Sequence, residues 1–252
     1  MVSSEKHSLG RLGRWWRGLP RVPDFALDPS ERDALQRAAK SDLAKLYFSR
    51  HGRVAHKWVH YLDIYDRHFS PFRDKNVKLL EIGVFQGGSL ELWREYFGPR
   101  AAIFGIDKNP ECAHRVDAPN QVRIGSQADP AFLKSVAAEL GAPDIIIDDG
   151  SHIGRHQRAS FFTLFPLLSE GGLYVIEDIH TSYWPRRYKG GLGRRGTAIH
   201  LIWQLMDDMH FWYHLRPKWP SLASQIGGLH IYDSIVIIEK KTALPPRHIM
   251  VQ

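Results

Sequence analysis

The stretch Ile145-Ile-Ile-Asp-Asp-Gly-Ser-His152 and its echo Leu173-Tyr-Val-Ile-Glu-Asp-Ile-His180 constrain the fold of this chain more than any other feature. Each is a short β-branched, apolar run that ends abruptly in acids and a histidine. Runs of four or five such residues read as strands buried on both faces, the pattern of a parallel sheet. The amphipathic stretch Arg155 to Ser169 between them reads as a helix, closed by Glu170-Gly-Gly172. Strand, helix, strand makes a βαβ unit, whose parallel strands end on one edge of the sheet. Asp148, Asp149, Glu177 and Asp178 are thereby expected together at that edge, where open α/β sheets hold their ligands. Four carboxylates gathered there need a cation, a proton or a donor-rich ligand. The pattern points to a site, and to a metal.

The rest of the chain repeats the alternation. Strands are expected at Val77 to Val84, Ala101 to Asp107, Gln121 to Ile124, Ile145 to Asp148 and Leu173 to Ile176. Helices are expected at Ser89 to Phe97, near Pro110, at Pro130 to Leu140 after the cap Asp129, and at Ala198 to Tyr213. Two last runs, Gly228 to Tyr232 and Ser234 to Glu239, form a hairpin or one bent strand. The expectation is an α/β fold with a doubly wound, mostly parallel sheet over residues 73–252. Residues 30–72 read as a helical extension. One helix is expected from the cap Ser30 toward Tyr47, and another over Lys57 to Phe69, ended by Pro71. The aromatic stripe Trp58, Tyr61, Leu62, Tyr65 and Phe69 suits packing, while His56, Lys57, His60 and Tyr61 give it polar edges that suit a pocket wall. Residues 1–29, with five basic residues and the pair Trp15 and Trp16, read as a poorly ordered arm.

With 252 residues there is room for one α/β domain with appendages. No apolar run approaches the ~20 residues of a membrane span, and no secretory signal is expected at the N-terminus. The single cysteine, Cys112, excludes an internal disulfide and a cysteine-based zinc site, and fits a reducing cytoplasm. The net charge of +7 gathers in the first 22 residues and in Arg186 to Arg195. That clustering suits a solubilising tail and a mobile loop; nucleic acid is not an expected partner, because no nucleic-acid module is visible. Homo-oligomerisation is left open.

Glu81-Ile-Gly-Val-Phe-Gln-Gly-Gly-Ser89 joins the first strand to its helix. Gly83, Gly87 and Gly88 let the backbone turn tightly and approach a ligand, and the helix start supplies free N–H donors. Phe85 stands where a dinucleotide fingerprint needs glycine, and Glu81 would repel a pyrophosphate, so NAD is disfavoured and a cationic ligand favoured. Asp107, ending the second strand, can accept hydrogen bonds from ribose hydroxyls. Ser126 and Gln127, after the third strand, can edge an adenine.

The E-x-G-x-x-x-G-G-S loop and the strand-two acid resemble the S-adenosylmethionine-dependent methyltransferase fold. IDDGSH followed by LFPLLSEGGLYVIEDIHTSYW is similar to the metal-dependent sugar O-methyltransferases of macrolide and rhamnosyl natural-product pathways, and to the related cephalosporin hydroxylase family. The resemblance runs over roughly residues 57–188. It implies that Glu81, Gly83, Gly87 and Ser89 lie by the methionine part of the cofactor, that Asp107 holds its ribose, and that Ser126, Gln127 and Asp148 belong to the cofactor side. It implies Asp149, Glu177 and Asp178 as Mg²⁺ ligands and His152 as general base. Ile179-His180 replaces the Leu-Gln of some relatives, which puts a second candidate base, His180, beside the metal. The implied reaction is Mg²⁺-dependent methylation of a hydroxyl on a sugar-bearing small molecule, in antibiotic or cell-envelope glycan tailoring. The rival readings are a methyltransferase acting on nucleic acid and a metal-dependent hydroxylase. The segment 185–196, rich in glycine and cations, reads as a mobile lid over the site.

Overall fold

The computed structural model describes residue 28 and residues 31–251. The expected basic arm, with Trp15 and Trp16, lies outside the described residues except for Asp28, and so does the cap candidate Ser30. Seven strands form one sheet: β1 (Lys78–Ile82), β2 (Ala102–Asp107), β3 (Gln121–Ile124), β4 (Ile145–Asp148), β5 (Leu173–Ile176), β6 (Ile226–Ile231) and β7 (Val236–Lys240). Their order is β3-β2-β1-β4-β5-β7-β6. The first five are parallel, whereas β7 runs antiparallel to both β5 and β6. The last two runs are therefore a hairpin. Strand order reverses between β1 and β4, and the crevice at that switch point is where such sheets take ligands.

Alternation along each strand decides which helix covers which face. Leu80, Ile82, Ile146, Tyr174 and Ile176 enter one core with α5 (Pro130–Leu140), α6 (Gly154–Leu164) and α7 (Ala198–Met209). Leu79, Ile103, Ile145, Ile147 and Val175 enter the other, with α3 (Val59–Phe69) and α4 (Gly88–Phe97). Ile145, Ile146 and Ile147 are fully buried, each worth about 1.5–3 kcal/mol in transfer terms. Asp129 caps α5 by accepting from the amides of Ala131 and Phe132, with Pro130 in the first turn.

Several helix boundaries depart from expectation, each for a local reason. The stretch toward Tyr47 is two helices, α1 (Arg32–Ala38) and α2 (Asp42–Ser49), because Ala39 turns extended and Ser41 caps a new start on Ala44 N. Helix α3 begins at Val59, leaving Lys57 on the chain ahead of it. Helix α6 stops at Leu164, where Pro166 forces a 3₁₀ turn, and so never reaches Ser169. Helix α7 ends at Met209; the last turn to His214 is a separate short helix. The helical extension, described from residue 31, packs on the sheet domain: Tyr61, Tyr65 and Phe69 are fully buried and share a core with Trp93 and Phe97 of α4.

Candidate active site

A cavity of about 450 Å³ opens at the carboxyl edge of the sheet. Its floor is the loop after β1 and the start of the loop after β4. Gly83, at φ 103, passes so close to the second loop that a Cβ there would lie 2.1 Å from the Asp149 carbonyl oxygen. Gly87, at φ 82, turns the chain into α4. Asp107 binds this loop to β2: it accepts from Val84 N at 3.0 Å, Phe85 N at 3.3 Å and Asn109 N at 2.9 Å. Burial opposes its ionisation, but these amides outweigh it and hold the carboxyl below its usual range. A carboxylate offers about four acceptor sites, so Asp107, which lines the cavity, still has capacity for a ligand hydroxyl.

At the other end of the cavity stand Asp149, Glu177 and Asp178. The cation among them is Lys57. Its side chain is 1% exposed, and its Nζ lies 2.5 Å from Asp149 Oδ2, 2.6 Å from Glu177 Oε1 and 3.4 Å from Glu81 Oε1. Burial disfavours the ammonium, yet Asp149, Glu177 and Glu81 keep its pKa well above the ordinary lysine value. Two tyrosines of α3 complete the shell. Tyr65 donates to Glu177 Oε1, and Tyr61 lies 3.1 Å from Asp178 Oδ1. Trp58 Nε1 donates to the same Asp178 oxygen at 3.0 Å. Burial first, and repulsion from Asp149 second, push the Glu177 carboxyl up, with Lys57 and Tyr65 pulling against them. Acids under that repulsion favour uptake of a proton or a further cation.

His152 lines the cavity with Nε2 3.9 Å from Asp149 Oδ1 and 3.7 Å from Asp178 Oδ2. Its buried Nδ1 has no hydrogen-bond partner among the described residues. His152 and Asp178 both sit in the left-handed region, at φ 53 and 54. Strained backbone of this kind costs about 1–3 kcal/mol and gathers at functional sites. An oxygen-rich donor set beside one imidazole, open to a cavity, suits a hard divalent cation that keeps some of its waters.

The structure sorts the expected residues into those at the cavity and those beneath it. Gly83, Ser89, Asp107, Asp149, His152, Glu177 and Asp178 line it. Glu81 is fully buried below, sharing Lys57 with Asp149 and Glu177 and accepting from Trp93 Nε1 at 3.2 Å. Asp148 departs from the expected cluster of four: it points into the other core, where Gln127, Ser160 and Tyr174 donate to it. The period of two along β4 explains this, since consecutive residues face opposite sides of the sheet. Gln127 is spent on Asp148 and on the Ser151 amide, and Ser126 is exposed and turned to Ala128 N, so neither edges the cavity. His180 lies outside it as well, bonded through Nδ1 to Ser234 Oγ and packed between Trp58 and Trp184.

The segment 185–196 folds back on the turn before it. Gly190 N donates to Trp184 O and Gly191 N to Ser182 O. Gly190 is buried, and a Cβ there would meet the Ser182 carbonyl at 2.4 Å. It is glycine for want of space. Of the cations in this segment, Arg187 reaches the cavity wall.

A methyltransferase-domain family model matches residues 80–179. The 8-demethyl-8-(2-methoxy-alpha-L-rhamnosyl)-tetracenomycin-C 3'-O-methyltransferase of Streptomyces olivaceus is 39% identical over 224 residues, which cover 82% of this chain and 57% of that protein. The L-olivosyl-oleandolide 3-O-methyltransferase of Streptomyces antibioticus is 42% identical over 187 residues, covering 68% and 47%. Among solved structures, the MycE methyltransferase of the mycinamycin pathway, in complex with Mg, SAH and mycinamycin VI, matches with a TM-score of 0.69 at 33% identity. That match covers 86% of this chain and 63% of MycE. The chain spans 47% to 64% of the length of the curated relatives it matches. The matched span runs from β1 to the acids that follow β5, and these residues, 80–179, are a methyltransferase domain.

Proposed function

We propose that the chain is an S-adenosylmethionine-dependent, Mg²⁺-dependent O-methyltransferase acting on a hydroxyl of a sugar or glycosylated small molecule. One observation carries the reading: a single cavity has a ribose-type acceptor, Asp107, at one end and Asp149, Glu177, Asp178 and His152 at the other. The relatives' names place such chemistry on rhamnosyl and olivosyl groups. No described helix is long and apolar enough to cross a membrane, in keeping with a reaction in the cytoplasm.

When bound, S-adenosylmethionine would supply a methyl group on a sulfonium centre, and Mg²⁺ would lower the pKa of the hydroxyl to be methylated. Asp107 would hold the ribose, and the loop at Gly83 lets the ligand approach the backbone. Asp149, Glu177 and Asp178 would hold the metal. His152 would take the hydroxyl proton, with two carboxylates within 4 Å to stabilise the imidazolium. The residues would otherwise act by alignment, since the methyl group needs only to be met in line. Glu81, Asp149, Glu177 and Asp178 against Lys57 leave this corner at a formal −3. A divalent ion and a sulfonium together cancel that charge. A proton gained by His152 then replaces the positive charge lost on methyl transfer. The 185–196 segment is read as a lid whose Arg187 meets the acceptor.

The test is calorimetry with S-adenosylmethionine, followed by a screen of glycosylated acceptors with and without MgCl₂. Binding of S-adenosylmethionine and magnesium-dependent turnover are expected. Undiminished turnover in excess EDTA, or tight NAD binding with no response to S-adenosylmethionine, would overturn the proposal.

A further inference from the structure

The carboxylates at the sheet edge form two overlapping clusters that share Asp149. Asp149, His152 and Asp178 offer ligand atoms within 4.8 Å of one another on the cavity side. Glu81, Asp149 and Glu177 do the same one layer deeper. The deeper cluster is already filled. The Lys57 ammonium sits in its middle, within 3.4 Å of all three acids. It arrives from outside the sheet, on the chain ahead of α3, and its side chain is as buried as those of Glu81 and Glu177. Around it the network is specific: Tyr65 donates to the same Glu177 oxygen, and Trp93 holds the other oxygen of Glu81.

We propose that Lys57 occupies a second cation position, so that a fixed ammonium stands where a two-metal site would hold its inner ion. This rests on the reading of Asp149, Glu177 and Asp178 as the Mg²⁺ ligands, with the ion on the cavity side of Lys57 and His152 beside it as the base. Two divalent ions sharing a carboxylate lie about 3.5–4 Å apart in two-metal enzymes, and an ammonium can take one of those places at half the charge. Lys57 is thus a positioning residue. It fixes Oδ2 of Asp149 and Oε1 of Glu177, turns their remaining oxygens to the outer ion, and limits the site to one exchangeable metal. The cofactor's sulfonium supplies the charge that a second divalent ion would otherwise bring, and it is discharged on turnover.

The experiment counts ions on the full chain, with Mn²⁺ as the probe, by calorimetry and by electron paramagnetic resonance. The wild-type protein is expected to bind one Mn²⁺. Lys57→Ala opens the inner position and should bind two, the second displaced by millimolar methylammonium. Lys57→Met fills the space without charge and should bind one, with a melting temperature lower than wild type. Absence of any Mn²⁺ on the wild-type protein would count against the metal-dependent reading itself. One Mn²⁺ on wild type and still one on Lys57→Ala, with no response to methylammonium, would overturn the inner-cation assignment alone. If Lys57→Ala is unfolded without metal, excess Mn²⁺ should restore its melting transition; failure to do so also overturns it.

Discussion

His152, Asp107 and Tyr65 each make a separable contribution to the site. Replacing His152 by Ala should lower turnover by ~10²–10⁴, the usual worth of a positioned base. The same change at His180 should cost less, because that ring is already committed to Ser234 and two tryptophans; single-turnover rates of the two variants compare them directly. Asp107→Ala should weaken binding of S-adenosylhomocysteine by about 1–3 kcal/mol, the range for hydrogen bonds to a charged group, measured by calorimetry. Part of that loss will come from the Val84 and Phe85 amides left without their acceptor. Tyr65→Phe removes a donor from buried Glu177 and should destabilise the fold by a similar ~1–3 kcal/mol in denaturant titration. The acids themselves were legible in the sequence, since an apolar run ending in Asp or Glu marks a strand end. Lys57 was visible only as a polar edge on an aromatic stripe. Its partners lie 24, 92 and 120 residues away, and no local pattern encodes those pairings. Asp148 is the opposite case: the strand's period of two, a local pattern, places it on the face away from Asp149.

Among the elements, the strands could be read closely because burial on both faces leaves an uninterrupted apolar run; β3, β4 and β5 begin and end where expected. Helix ends were less legible, since a single proline or a serine cap overrides the apolar period, as at Pro166 and Ser41. The 185–196 segment illustrates the difference between composition and packing. Its glycines are not equivalent. Gly190→Ala must push a Cβ into the Ser182 carbonyl and should cost ~1–3 kcal/mol, as overpacking usually does. Gly193→Ala meets nothing within 4 Å and bears only its positive φ of 68, about 1–2 kcal/mol at most. Thermal unfolding of the two variants should rank them in that order, and the reverse order would remove the packing argument. The hairpin β6–β7 also has more than a structural share. Because β7 is antiparallel, its turn returns to the carboxyl edge. There Ser234 accepts from Tyr61 and from the Ile179 amide, and the Asp233 carbonyl meets His60.

For the whole molecule, four histidines with lowered pKa values contribute one part of the response to acid, opposed by the raised carboxyls of Glu177, Glu81 and Asp148. Burial, and after it the charge of His230, lowers the pKa of His68, which bonds Tyr232 on the hairpin. His156, His180 and His200 are lowered as well, burial being the first cause for each. In the unfolded chain these groups titrate near ~6.5. Below that value the unfolded chain binds more protons at these groups than the folded one, so their contribution to stability falls as pH drops through ~6.5 toward the lower folded values, and is full above it. Between pH 7.5 and 5.5 the melting temperature of wild type should therefore move downward relative to that of His68→Gln, the difference between the two curves being the His68 contribution. Lys57 carries a further consequence, one of timing. Chains emerge from the ribosome N-terminus first and fold as domains. The ammonium is synthesised well before Asp149 and Glu177, and the sheet that carries those acids cannot bring them together at low cost until the early segment docks across it. With that segment undocked the cavity would lack the wall made by Val54 to Trp58, and the acids would have no ammonium among them. Completing the chemistry and completing the fold are then the same event, which leaves a half-folded chain silent instead of indiscriminate.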